Sequence, residues 1–248
     1  MQMKTIFIFT GLLVMVLLIG PVLMAFSDSI QFGRDWRSAE RGSTGIAPDP
    51  RQHSAAIIQV YAARAFNWRG VFAVHTWLAL KPRDAVDYTV YHVVGWNLRR
   101  NRSVVVAQPD IPDRSWYGAT PQVLVDIRGP GAEPIIEAVE LAAHSYPYTH
   151  QYTLWPGPNS NTFTAYIGRQ VPALQLDLPP TAIGKDYLVD EDFIAATPSG
   201  TGIQLSLYGL LGILLSKQEG IEINVLTLSI GFDPFDFNLR LPGLGIVG

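Results

Sequence analysis

The sequence predicts an α+β fold, an antiparallel sheet of hairpins with a few packed helices, preceded by one N-terminal transmembrane helix. Three observations predict it. The segment Thr5 to Phe26 is an uncharged apolar run. The strand-like segments fall in hairpin pairs and do not alternate regularly with helices. Between Pro130 and Tyr146, apolar residues recur at spacings of three and four, which lays a stripe along one face of a helix.

The N-terminal run, TIFIFTGLLVMVLLIGPVLMAF, is about the length a helix needs to cross a hydrocarbon core of roughly 30 Å. The alternative is a cleaved secretory signal, with Ala25 and Ser27 as its small cleavage-site residues. The apolar part of such a signal usually spans only about 7 to 15 residues, so length favours the anchor. The short tail bearing Lys4 is expected to stay in the cytoplasm, because a long following domain translocates largely regardless of its charge. Arg34, Arg37 and Arg41 pull the other way, interspersed with Asp28, Asp35 and Glu40. The expected organisation is a tail and anchor over residues 1–27, a linker over 28–52 rich in glycine and proline, and a single globular domain over 53–248.

Within the domain, His53 to Phe66 fits strand or helix spacing equally. Val71 to Leu80 and Tyr88 to Trp96 are rich in β-branched and aromatic residues, and Pro82 and Asp84 between them make a hairpin. The basic cluster RRNR at 99–102 reads as a solvated turn before a further strand from Val104 to Ala107. A second helix runs toward Gly168, capped by Asn159 or Ser160, whose side-chain oxygens suit the open amides of a first turn. Gly202 to Tyr208 and Ile221 to Phe232 alternate apolar with polar as half-buried strands do, with a turn near Glu219 and Gly220. Leu210 to Leu215 is too short to span a bilayer as a helix.

Composition excludes several function classes. A net charge of -3 leaves no basic field for nucleic acid. The chain has no cysteine, which removes disulfides, thiolate ligands and thiol nucleophiles. His144 and His150 lack the four-residue separation of a two-histidine zinc helix, so neither a metal nor a cofactor is expected.

The run WPGPNSNTF, from Trp155 to Phe163, carries the candidate chemistry. Its prolines and glycine stiffen the approach to Ser160, and a nucleophile at a helix N-terminus gains from the dipole and from neighbouring amides that can hold an oxyanion. Serine needs a base. His75, within an apolar strand, is the candidate base, and His92 on the next strand is the candidate to orient it. The plainer readings stand beside these: Ser160 as a helix cap, and both histidines as hydrogen-bonded core residues. Trp155, Trp96, Trp116 and Tyr117 suit either a cleft lining or the core. Lys185 and Asp186 suit a solvated loop or a contribution to the site.

The stretches HTWLAL, VVGW, YPY, WPGPNSNTF and LPPTAIGKDYL resemble an uncharacterised bacterial family, the domain of unknown function 3750, over most of the chain beyond the anchor. That resemblance implies a membrane-associated bacterial protein and supplies no activity. The order of His75 and then Asn159-Ser160 is more remotely similar to the circularly permuted papain-like (NlpC-type) hydrolases and acyltransferases, with serine where their cysteine stands. This second resemblance implies Ser160 and His75 as catalytic residues and a cell-wall peptide or a lipid ester as substrate; His92, by its place on the paired strand, is the third catalytic candidate, and Asn159, Asn161 and Trp155 are the candidate substrate contacts. The expectation is therefore a single-pass protein of the bacterial inner membrane with a periplasmic domain, either a Ser-His hydrolase or acyltransferase acting on an amide or ester, or a non-catalytic envelope binding or scaffold module with a papain-like cleft. A subunit of a larger membrane complex is the third reading, and its mark would be a broad exposed apolar patch.

Overall fold

The computed structural model describes residues 2–189 and 192–248. Met1 and the charge of Lys4, on which the expected orientation rests, lie outside what it describes. Helix α1 (Gln2–Ala25) has a mean hydropathy of 2.6 over Phe7–Ala25 and is long and apolar enough to cross a membrane. Most of its side chains are exposed. The exceptions are Leu17, Gly20, Pro21 and Met24, whose three- and four-residue spacing forms one buried stripe near the helix end.

The first sheet has five antiparallel strands: β1 (Ile57–Arg64), β2 (Val74–Lys81), β3 (Thr89–Val93), β4 (Val105–Pro109) and β5 (Gln122–Arg128). Their order is β4-β3-β2-β1-β5. The expected hairpin is β2 and β3, paired at Leu78↔Tyr91. The ambiguous segment after His53 becomes β1, and nearly all of it is buried because both faces of the sheet are covered. On one face Ile58, Val60, Leu78 and Leu80 pack against helices α2 (Ala132–His144) and α3 (Ser160–Gln170). On the other, Ile57, Tyr61, Trp77 and Val90 pack around Trp116.

The expected linker has no regular element, yet it is fastened over this second face. The buried Asp113 accepts hydrogen bonds from the Ser43 hydroxyl and from the Ile46 and Ala47 amides at 2.8, 2.7 and 3.2 Å.

The second sheet is a seven-stranded antiparallel meander: β6 (Ile194–Ala196), β7 (Gly202–Leu207), β8 (Leu211–Ser216), β9 (Gly220–Val225), β10 (Leu228–Asp233), β11 (Asn238–Leu241) and β12 (Gly245–Val247). The expected turn at Glu219 and Gly220 joins β8 to β9. Leu211 to Leu215 falls within β8, after a turn that includes Leu210, and Ile221 to Phe232 divides at Leu226 and Thr227, which turn with φ of 52° and 68°.

Alternation in this sheet is as regular as the sequence suggests, but the polarity is reversed. Gln204, Ser206, Glu222, Asn224, Ser229 and Arg240 are buried, while Leu205, Ile213 and Ile223, paired across β7, β8 and β9, face outward and are about half exposed. The inward polar row meets the segment after α3. Lys185 Nζ donates to Glu222 at 2.5 Å, and the Arg240 guanidinium binds Glu222 and Asp177 together. Gln204 donates to Asp186 and accepts from Arg169 at 2.7 Å. Lys185 and Arg240 are thus ion-paired with Asp177, Asp186 and Glu222, and Arg169 is held beside them near Asp186 and Glu219.

Removing one member of such a network leaves a buried charge without its partner, which typically destabilises by about 3 to 5 kcal/mol. Arg240→Met is therefore expected to lower the unfolding free energy of the full chain by about that amount, measured by denaturant titration of tryptophan fluorescence in detergent. A change within about 0.5 kcal/mol, the range of an ordinary surface substitution, would mean that the network does not hold the sheets together.

Candidate functional site

The N-terminus of α3 is built by two asparagines. Asn159 is the N-cap: its Oδ1 accepts from the amides of Asn161 and Thr162 at 2.9 and 3.2 Å, and Thr162 Oγ1 accepts from the Asn159 amide in return, which completes a capping box. Its Nδ2 donates to the carbonyls of Leu154 and Ile183, each at 3.1 Å. Asn161 ties the helix to β2 and to the loop before Lys185. Its Nδ2 donates to Val74 and Ile183 carbonyls at 3.0 and 2.8 Å, and its Oδ1 accepts from Thr76 at 2.9 Å. Both side chains are buried, with their hydrogen-bonding capacity spent inside the protein.

Ser160 is the first helical residue and is 4% exposed. Its carbonyl accepts from Thr76 and Thr164 at 3.4 and 3.1 Å. The side chain that β2 presents to this helix is therefore Thr76. Successive strand residues point to opposite faces, so His75 points away from α3. It stacks on Trp116, ring centroids 3.8 Å apart and planes 8° apart, within the cluster on the other side of the sheet.

His92 joins it there. The Nε2 of His75 and the Nδ1 of His92 are 3.4 Å apart, close enough for one ring to donate to the other. The structure thus brings the two histidines together, as the hairpin suggested, and places Ser160 on the opposite face of the sheet from both. Trp155 is half exposed and donates from Nε1 to Thr227 Oγ1 at 2.7 Å and to the Leu226 carbonyl at 3.2 Å, pinning the β9–β10 turn. Trp96 and Trp116 lie near one another, with centroids 6.4 Å apart, on the histidine side. Among the described residues no group of three or more histidines and carboxylates could hold a metal.

Burial governs the electrostatics of the histidine pair. The His75 imidazole is held well below its ordinary range, first by burial and then by the neighbouring His92. His92 is pushed down to about 4, first by burial and then by the charge of Arg114, with Asp110 opposing. Both rings are neutral near pH 7. Lys185 and Asp186, expected in a solvated loop, instead lie in the buried ionic cluster under the second sheet. Sequence reasoning missed that cluster, because its bonded partners are up to 63 positions apart and paired charges leave no local pattern.

Residues 55–187, more than half of the chain, match the model of a family described as protein of unknown function (DUF3750). The match spans α2, α3 and the whole first sheet, excludes α1 and ends before β6. Comparison with curated proteins finds no match. No solved structure matches either, so the papain-like resemblance gains no support from that side.

The histidine pair gives the fold an acid sensitivity. Both rings have folded-state values below the ordinary 6.5, so below that pH the unfolded chain binds protons that the folded chain does not. Stability is fully present above about pH 6.5 and falls as the pH drops, by up to about 1.4 kcal/mol per pH unit for each ring. Denaturant titrations between pH 7 and 5, above the range where most carboxylates titrate, should show this slope, and His92→Asn should roughly halve it. An unchanged slope in that variant would mean the pair is not responsible.

Proposed function

The chain belongs to the DUF3750 family, and we propose that it is a non-catalytic binding or scaffold module of the bacterial envelope, held by α1 in the inner membrane with its folded part in the periplasm. A hydrolase or acyltransferase working through Ser160 needs a base within hydrogen-bond reach of the serine hydroxyl, allowing for looser geometry before substrate binds. The observation that carries the binding reading is strand parity: Thr76 occupies the α3 side of β2, while His75 is stacked on Trp116 beyond the sheet. Moving His75 to Ser160 would require a one-residue shift of β2, which would exchange every side chain of that strand between the two cores.

The residues around Ser160 support the same reading. Asn159 and Asn161 hold α3 against β2 and the 183–184 loop, so they serve the helix and leave no free amide for a substrate. The membrane side of the proposal rests on α1, and its orientation on the rule that a long domain after a first membrane helix translocates largely regardless of its charge.

Treatment of the full-length protein in detergent with short- and long-chain fluorophosphonates tests this. The parent is expected to remain unlabelled, as are Ser160→Ala and His75→Ala. Labelling of the parent that disappears in both variants while their tryptophan fluorescence stays native would replace the binding reading with the Ser-His hydrolase.

A further inference from the structure

We propose that the outward face of the β6–β12 sheet is a lipid-contacting surface that rests in the outer part of the same bilayer that α1 spans. The inference builds on the anchor reading above and goes beyond it, since it makes the second sheet part of the membrane attachment.

The face is apolar without interruption along its registers. Ile203, Leu215, Ile221, Phe232, Leu239 and Val247 pair side by side across six consecutive strands, and each is between 42% and 52% exposed. Strands lie about 4.8 Å apart and rise about 3.3 Å per residue, so seven strands of up to six residues form a face of roughly 30 by 20 Å. That is at or above the largest apolar patch an ordinary soluble monomer exposes, about 300 to 600 Å².

The contact between this sheet and α1 identifies the occupant. The turn between β11 and β12, Pro242 to Leu244, lies directly against Gly20 and Pro21: a Cβ on Gly20 would stand 2.0 Å from the Pro242 carbonyl oxygen, and one on Gly243 would stand 2.5 Å from the Pro21 nitrogen. Arg64 clamps this turn, donating to the Gly243 and Leu244 carbonyls at 2.6 and 3.4 Å, and its Nη2 stands 3.9 Å from the Met24 sulfur of α1. Gly20 lies five residues inside the apolar span that ends at Ala25, about 7 Å along the helix at 1.5 Å per residue. One end of the sheet is therefore fixed at a depth inside the apolar part of the anchor.

The distribution of charge agrees with that depth. In a meander the β7–β8, β9–β10 and β11–β12 turns share one end. At that end stand Tyr208, Leu226, Thr227 and the uncharged 242–244 turn, with Trp155 pinned beside them; the charged groups there are Arg64, engaged with the 242–244 carbonyls, and Asp192 at the β6 edge, the far edge of the sheet from α1. Exposed Lys217 and Asp236 belong to turns at the opposite end. The β9–β12 part of that end, which carries tryptophan beside uncharged turns and is joined to a membrane helix, has the composition of a membrane interface.

The chain has no cysteine, so single-cysteine variants of the full-length protein can carry a polarity-sensitive maleimide dye in phosphatidylcholine vesicles containing acyl-chain nitroxide lipids. Ile223→Cys and Leu226→Cys are expected to give blue-shifted emission that the nitroxide lipids quench. Leu141→Cys, on the exposed side of α2, should give neither effect, and Val14→Cys within α1 should be quenched. If Val14 is quenched and Ile223 is red-shifted and unquenched, the lipid surface is overturned while the anchor stands. If Ile223 is blue-shifted but unquenched and Ile223→Cys cross-links between copies, the face belongs to a second copy and the proposal is equally overturned. An unquenched Val14 label defeats the anchor reading itself. Native tryptophan emission in each variant shows that the fold is retained.

Discussion

The buried ion pairs among Lys185, Glu222, Arg240 and Asp177 fix which way the second sheet faces. Each of these groups would carry a large desolvation penalty alone, and each is stable inside the protein only because the others stand within hydrogen-bond distance. Two of them, Glu222 on β9 and Arg240 on β11, sit on the sheet at the same side-chain parity. Because that parity has a period of two, satisfying these two residues commits Gln204, Ser206, Asn224 and Ser229 to the inside as well, and their alternating neighbours to the outside. The apolar outer face follows from where the charges must go. Hydrophobic burial, the usual director of a half-covered sheet, is here overruled by electrostatics.

Parity also decides the chemistry on the first sheet. Thr76 and His75 are adjacent in sequence and belong to different cores: Thr76 to the hydrogen-bonded seam with Asn161 and Thr164, His75 to the aromatic cluster with Trp116. The α3 N-terminus has the buried setting in which a nucleophile could act, but its first-turn amides are capped by Asn159 and the groups pointed at it are hydroxyls and amides already engaged with each other. What the histidines form instead is a neutral pair, set edge to face with His75 stacked on Trp116, that requires a pH above the ordinary histidine value to stay buried at no penalty.

How much of this was readable beforehand depends on the kind of signal. The hairpin of β2 and β3, the stripe of α2 and the cap at Asn159 are local patterns, and local patterns survive in a sequence. β5 was missed: Gln122–Arg128 has weak alternation because it lies at the sheet edge with mixed exposure. The turn at Leu226 and Thr227 was also missed, since a positive φ is ordinarily signalled by glycine or asparagine and neither is present. In the candidate site, the order of His75 before Asn159-Ser160 was visible, but whether a histidine faces the helix depends on which of two adjacent residues points inward, and strand alternation alone cannot assign the inside. The same ambiguity reversed the reading of the second sheet, where the alternation was correctly seen and its apolar half was expected to be the buried one.

The region matched by the family, residues 55–187, contains Asp177, Lys185 and Asp186 but stops short of Glu222 and Arg240. The boundary of the match therefore cuts through the ionic cluster. Physically the two parts are one problem: the matched region presents charges that need partners, and the segment after it supplies them from a sheet whose other face is apolar. A sheet of this polarity is poorly suited to water on both sides. It becomes consistent when its inner row is neutralised by Lys185, Asp177 and Asp186 and its outer row meets hydrocarbon. The contact of the β11–β12 turn with Gly20 and Pro21 joins those two requirements, because it holds one end of the sheet beside the apolar part of the anchor.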